Sequence, residues 1–123
     1  MSSQSDLGFV SLLVTPAAGI SAWTAVSLQS DGSISPTSDG TRGYGVTQEA
    51  AIAGRYVNVK LWTAPGTWDI IVSPGLVVTP GNAYSISNGY AVGTGTTGAT
   101  TPTLIAAQAG VSASGIVLQF AKN

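Results

Sequence analysis

The chain contains no cysteine and no histidine, and charge is scarce: four Lys or Arg and five Asp or Glu among 123 residues. Without cysteine there can be no disulfide framework, thiolate metal site or thiol nucleophile. Without histidine the side chain that most often moves protons near neutrality, and most often ligates zinc, is gone. Five carboxylates remain. Asp31 and Asp39 each precede glycine, which is turn chemistry, and the D-x-D-x-D-G spacing of a calcium loop is missing. Glu49 and Asp69 are expected to be solvated or paired with Arg55 or Lys60. A Ser-Lys nucleophile would need Lys60 or Lys122 buried beside a serine, and nothing in the sequence marks one. The expectation is therefore no catalytic, cofactor-binding or metal-ligating residue, and no enzyme. The cations Arg42, Arg55, Lys60 and Lys122 are scattered along the chain and too few to track a phosphate backbone, so nucleic acid is not an expected partner. No apolar run approaches the roughly 20 residues of a membrane span, and no Lys or Arg precedes Arg42, as a signal peptide's charged start would require. The sequence reads as that of a soluble protein, made in the cytoplasm with its initiator methionine kept.

What the chain does have is 44% hydrophobic residues, 16 glycines and 6 prolines. The glycines and prolines punctuate short runs rich in Val, Ile, Thr, Tyr and Trp, the signature of an all-β domain. We expect one compact β-barrel or β-sandwich built from hairpins, with little or no helix. The best helical stretch, Gln48 to Ala53, is too short to stand alone. In Arg55 to Trp62, Val57, Val59 and Leu61 alternate with polar or aromatic neighbours, as in a half-buried strand. Pro65-Gly66 suits a type II turn, predicting a hairpin that pairs Leu61 with Ile70 and Val59 with Val72. Asp31-Gly32 and Asn88-Gly89 are strong hairpin cues. The segment GTGTTG, Gly93 to Gly98, spells a dinucleotide-binding loop. The Thr100-Thr101-Pro102 that follows opposes a helix start, however, and no acidic residue occurs after Asp69, so it reads as a connector between strands.

Two stretches of the chain can be laid over each other, about 20–62 and about 76–120. Each has a strand near a glycine (Gly19 or Gly81), then Asp31-Gly32 or Asn88-Gly89, then a Gln in an Ala-rich stretch, then a closing strand after Gly54 or Gly115. Within this pattern Gly45, Val46, Gln48, Ala50, Ala53, Gly54, Val57 and Val59 form one signature, and Ile105, Gln108, Ala113, Gly115 and Val117 its weaker second copy. The doubled signature resembles the small head-decoration, or cement, proteins of tailed bacteriophages. That resemblance implies a compact β fold, commonly trimeric, that binds the major capsid protein on the outside of the assembled head and stabilises the shell. It brings no catalytic residue with it.

A surface poor in charge, on a chain of net charge -1, does little to oppose close contact with other subunits. Leu7 to Val14 is almost continuously apolar and reads either as the first strand of the core or, as part of residues 1–19, as an arm that adds a strand to a neighbour. Trp23, Trp62 and Trp68 read as core packing, as interface anchors or as a sugar-stacking platform. Trp62 faces away from Val59 and Leu61 by strand alternation, which favours an outward role. The expected interface set is Leu7, Phe9, Leu12, Val14, Trp62 and Trp68. The alternative function is a carbohydrate-binding or adhesion module on a virion or tail, with Trp62 and Trp68 as its platform.

Overall fold

A computed structural model describes residues 8–14, 18–37, 42–94, 102–111 and 116–122. Leu7, Asp39, the GTGTTG residues after Thr94, Ala113 and Gly115 lie outside that set. The described residues hold strands and turns and no α-helix. In chain order the strands are β1 (Phe9–Val14), β2 (Ala25–Leu28), β3 (Ser33–Pro36), β4 (Gly45–Thr47), β5 (Tyr56–Leu61) and β6 (Trp68–Ile71). They continue with β7 (Val77–Val78), β8 (Ala83–Ser87), β9 (Tyr90–Gly93), β10 (Leu104–Ala106), β11 (Gly110–Val111) and β12 (Val117–Lys122).

Both glycine-led hairpins form, each with its own turn chemistry. Asn88 and Gly89 have φ of 49° and 83°, and Ser87 pairs with Tyr90. This two-residue loop, left-handed at both positions, matches the right-handed twist of the strands. At Asp31-Gly32 only the glycine is left-handed, at φ 88°. Gln29 N–H there donates to Ser33 O and Gly32 N–H to Gln29 O, so β2 and β3 are joined by a three-residue loop in which Gly32 takes the bulge position.

The same five-strand path is traced twice. The first half closes as a barrel in the order β1-β3-β2-β4-β5, with β1 antiparallel to β5 and parallel to β3. The second half runs β6-β12-β10-β8-β9, and a parallel bridge from Val72 to Ala91 brings the end of β6 back to β9. The registers correspond. Leu12 lies opposite Val57 and Val14 opposite Ile34, just as Ile70 lies opposite Leu118 and Val72 opposite Ala91. Ala25 opposite Val46 is matched by Ala83 opposite Ile105. Each unit thus starts one strand earlier than the sequence boundaries at 20 and 76, with β1 and β6 as corresponding first staves. The ribbon β7-β11 is added to the second half.

The predicted hairpin between β5 and the TWDIIV strand does not form. Both edges of β5 are taken, by β1 and β4, so no row of main-chain groups is left to receive β6, which pairs with β12 instead. Pro65-Gly66 still turns the chain, with Gly66 at φ 93°, but the turn links the two halves.

One core fills the first barrel: Val14, Ile20, Val26, Ile34, Val57 and Val59. The other fills the second half and the junction, where Trp62, Trp68, Ile70, Tyr84, Ile86, Leu104 and Phe120 pack with Ala25 and Val46 of the first half. Adjacent Ala25 and Val26 are both fully buried because successive side chains point to opposite faces. One enters the barrel and the other enters the junction, which joins the two halves through buried apolar surface.

Candidate interaction surface

The expected interface set is largely internal. Val14 is fully buried, Phe9 and Leu12 are half-buried in the wall of the barrel, and Trp62 and Trp68 are only 6% and 1% exposed. Trp62 lies beyond the last residue of β5, where strand alternation no longer sets direction, and the second half covers that end of the strand. Its ring packs on Trp68 with centroids 4.8 Å apart. Trp62 Nε1 donates to Arg42 O at 2.8 Å and Trp68 Nε1 to Leu61 O at 3.3 Å. The outward anchor expected at Trp62 is therefore a junction residue, and the sugar platform expected on Trp62 and Trp68 has no exposed ring face.

Three of the four cations collect on this pair. The Arg42 guanidinium carbon lies 5.8 Å from the Trp62 ring centroid, and Lys60 and Lys122 Nζ lie 4.8 and 5.6 Å from that of Trp68. Lys60 also donates to Thr67 O at 2.6 Å. Each such cation–ring contact is worth about 0.5–1 kcal/mol at an exposed site.

Glu49 bonds at a strand edge, and Asp31 takes the turn role expected of it. Glu49 Oε2 accepts Asn58 N–H at 3.3 Å. Asp31 Oδ1 accepts the Ser33 hydroxyl at 2.6 Å and the Ser33 N–H at 2.9 Å. These two bonds, the hydroxyl first, hold the Asp31 carboxyl below its ordinary value. The folded chain favours ionised Asp31 more than the unfolded chain does, so its contribution is complete above about pH 4 and is lost as pH falls through the folded value. Thermal melts taken down the acid range should show a shallow slope there that Asp31→Asn abolishes. Among the described residues no group of three or more Asp or Glu is placed to hold a metal ion.

The feature that sequence reading missed is the turn at Ser21 to Thr24. Trp23 sits at φ 61°, a left-handed conformation that costs an ordinary L-residue about 1–2 kcal/mol. Its counterpart in the second half is identified by hydrogen bonds. Trp23 N–H donates to Thr47 O and Thr47 N–H to Thr24 O, while Gly81 N–H donates to Ala106 O and Ala106 N–H to Asn82 O. Gly81, which the sequence aligned with Gly19, therefore corresponds to Trp23, and its φ is 86°.

In the second half the turn Thr79-Pro80-Gly81-Asn82 closes on itself, with Asn82 N–H donating to Thr79 O at 3.1 Å. In the first half the hydroxyl of buried Thr47 takes the place of that bond, accepting Thr24 N–H at 3.0 Å and donating to Ser21 O at 2.8 Å. Trp23 O then accepts Ile71 N–H at 2.8 Å, tying β6 to the turn. Thr47→Val keeps the shape but leaves Thr24 N–H and Ser21 O without that partner. It should cost about 1–3 kcal/mol in urea unfolding.

One solved structure, the head fiber gp8.5 N base of bacteriophage phi29, is similar over 94% of both chains with a TM-score of 0.71 and 18% sequence identity. No family model and no curated protein matches the chain. The two proteins share a fold, and the neighbour is a component of a phage head, the setting of the proteins that the doubled signature resembles.

Proposed function

We propose that the chain is a non-enzymatic structural protein of a tailed-phage head, a homotrimer that attaches to the major capsid protein on the outside of the assembled shell and stabilises it. The observation that carries this reading is the fold shared end to end with the base of a phage head fiber. The doubled cement-like signature and a surface poor in charge support it. Each copy would contribute a modest contact, and the effect on the shell would come from many copies acting together.

The test is light scattering on the purified protein, followed by mixing with undecorated heads and imaging by cryo-microscopy. Trimers that appear as regular outer density and raise the temperature at which the heads rupture are the expected result. A monomer that leaves the shells bare would overturn the reading.

A further inference from the structure

Three observations meet at Trp23. First, a bulky residue occupies a left-handed position that the corresponding turn of the second half fills with Gly81. Such strain persists where its surroundings over-determine it, and it clusters where proteins bind. Here the surroundings are the Thr47 hydroxyl, wedged into the turn, and the main-chain bonds from Trp23 to Thr47 and Ile71. Second, the indole belongs to neither core. It is half-buried, and among the described residues it makes no ring contact and no side-chain hydrogen bond. Third, the stretch around it, Gly19 to Ala25, and the adjoining hairpin tip Asn88 to Tyr90 carry no charge.

The second half shows that glycine serves the same turn without strain, so the tryptophan is not required for the turn itself. We propose that Trp23 is a partner-contacting anchor. Its indole packs on a neutral protein surface and donates its Nε1–H to an oxygen of that surface, in the manner of the tryptophans that dominate interface energetics. Resting on the head-attachment reading, this places the main contact at the turn Ser21 to Thr24 and on Trp23, not on the buried Trp62 and Trp68. The head-attachment reading supplies a protein surface as the partner of this ring. Because no charge takes part, attachment through Trp23 is insensitive to salt.

The experiment measures binding to undecorated heads and thermal unfolding for the parent chain, Trp23→Gly and Trp23→Phe. The glycine variant should melt at the same temperature as the parent or higher, since it relieves the backbone, yet bind at least about tenfold more weakly. The phenylalanine variant keeps ring and strain but lacks the N–H, so it should fold like the parent and bind with intermediate affinity. Parent binding should hold from about 50 mM to about 0.5 M salt.

Parent-like attachment by Trp23→Gly would overturn the proposal. So would a lowered melting temperature in Trp23→Gly together with parent-like attachment by Trp23→Phe, which would make the ring a packing residue. Heads left bare by the parent chain itself would instead defeat the head-attachment reading, and with it the role of Trp23 there.

Discussion

Replacement of Trp68 by alanine should destabilise the protein by about 3–5 kcal/mol, the range for emptying a large buried aromatic site. Trp68 opens β6 and sits opposite Phe120. At 1% exposure it is enclosed by the second-half core, by the Trp62 ring 4.8 Å away and by the ammonium groups of Lys60 and Lys122. Truncation empties that space and leaves Leu61 O without the indole donor. It also removes the ring face on which two ammonium groups rest. A domain of this size has about 5–15 kcal/mol of total stability, so a large fraction would go. Urea unfolding should show a markedly lower midpoint with a similar slope. By contrast Lys60→Gln, which removes a partly exposed cation–π contact and the Nζ bond to Thr67 O, should lie within about 2 kcal/mol of the parent. A Trp68→Ala protein as stable as Lys60→Gln would mean that the indole is not the keystone between the halves that its burial indicates.

The sequence made the turns legible and left the partners of the strands obscure. Asn88-Gly89 and Asp31-Gly32 act through local backbone energetics, which depend on few residues, and both hairpins form as expected. Pro65-Gly66 was equally correct as a turn but wrong as a hairpin. Whether a turn yields a hairpin depends on whether the strand before it has a free edge, and β1 and β4, distant in sequence, had already occupied β5. A second non-local fact misdirected Trp62, which lies past the end of β5 where the second half covers the strand. Alternation predicts two faces, one buried and one exposed, but at the junction both faces meet apolar neighbours, as adjacent Ala25 and Val26 show.

Trp23 was beyond reach for another reason. Glycine marks a left-handed position only when glycine is used, so the repeat was aligned through Gly19, the nearest glycine available. The counterpart of Gly81 became visible only in the hydrogen bonds to Thr47 and Ala106. The nearest signal is the second copy itself: Thr79-Pro80-Gly81-Asn82 is turn chemistry, but counting back from the Asn88-Gly89 and Asp31-Gly32 tips sets Gly81 on Thr24, one residue past Trp23, because the first tip has the longer loop.

The two hairpin-tip glycines allow the cost of a left-handed conformation to be separated from the cost of crowding, and they predict unequal outcomes. Gly32 and Gly89 have nearly the same φ, 88° and 83°. A methyl group added at Gly32 would meet nothing within 4 Å, whereas one at Gly89 would come within 2.5 Å of Thr24 Cγ2 and 3.0 Å of Ala25 O. Gly32→Ala should therefore pay only for the backbone, about 1–2 kcal/mol. Gly89→Ala should pay the same plus about 1–3 kcal/mol of overpacking.

The difference matters because the Gly89 tip is stitched onto the first half, with Ala25 N–H donating to Gly89 O and Gly89 N–H to Thr37 O, each at 3.0 Å. The methyl group presses on Thr24, next to the strained turn. Gly89→Ala should thus loosen the junction and displace Trp23, weakening attachment to heads as well as stability, while Gly32→Ala should weaken stability alone. Chemical unfolding of the two variants side by side, with head binding measured on each, checks both parts. Equal destabilisation would show that the tip is not seated against Thr24. Attachment lost in both variants, or in neither, would separate head binding from the junction where Trp23 lies.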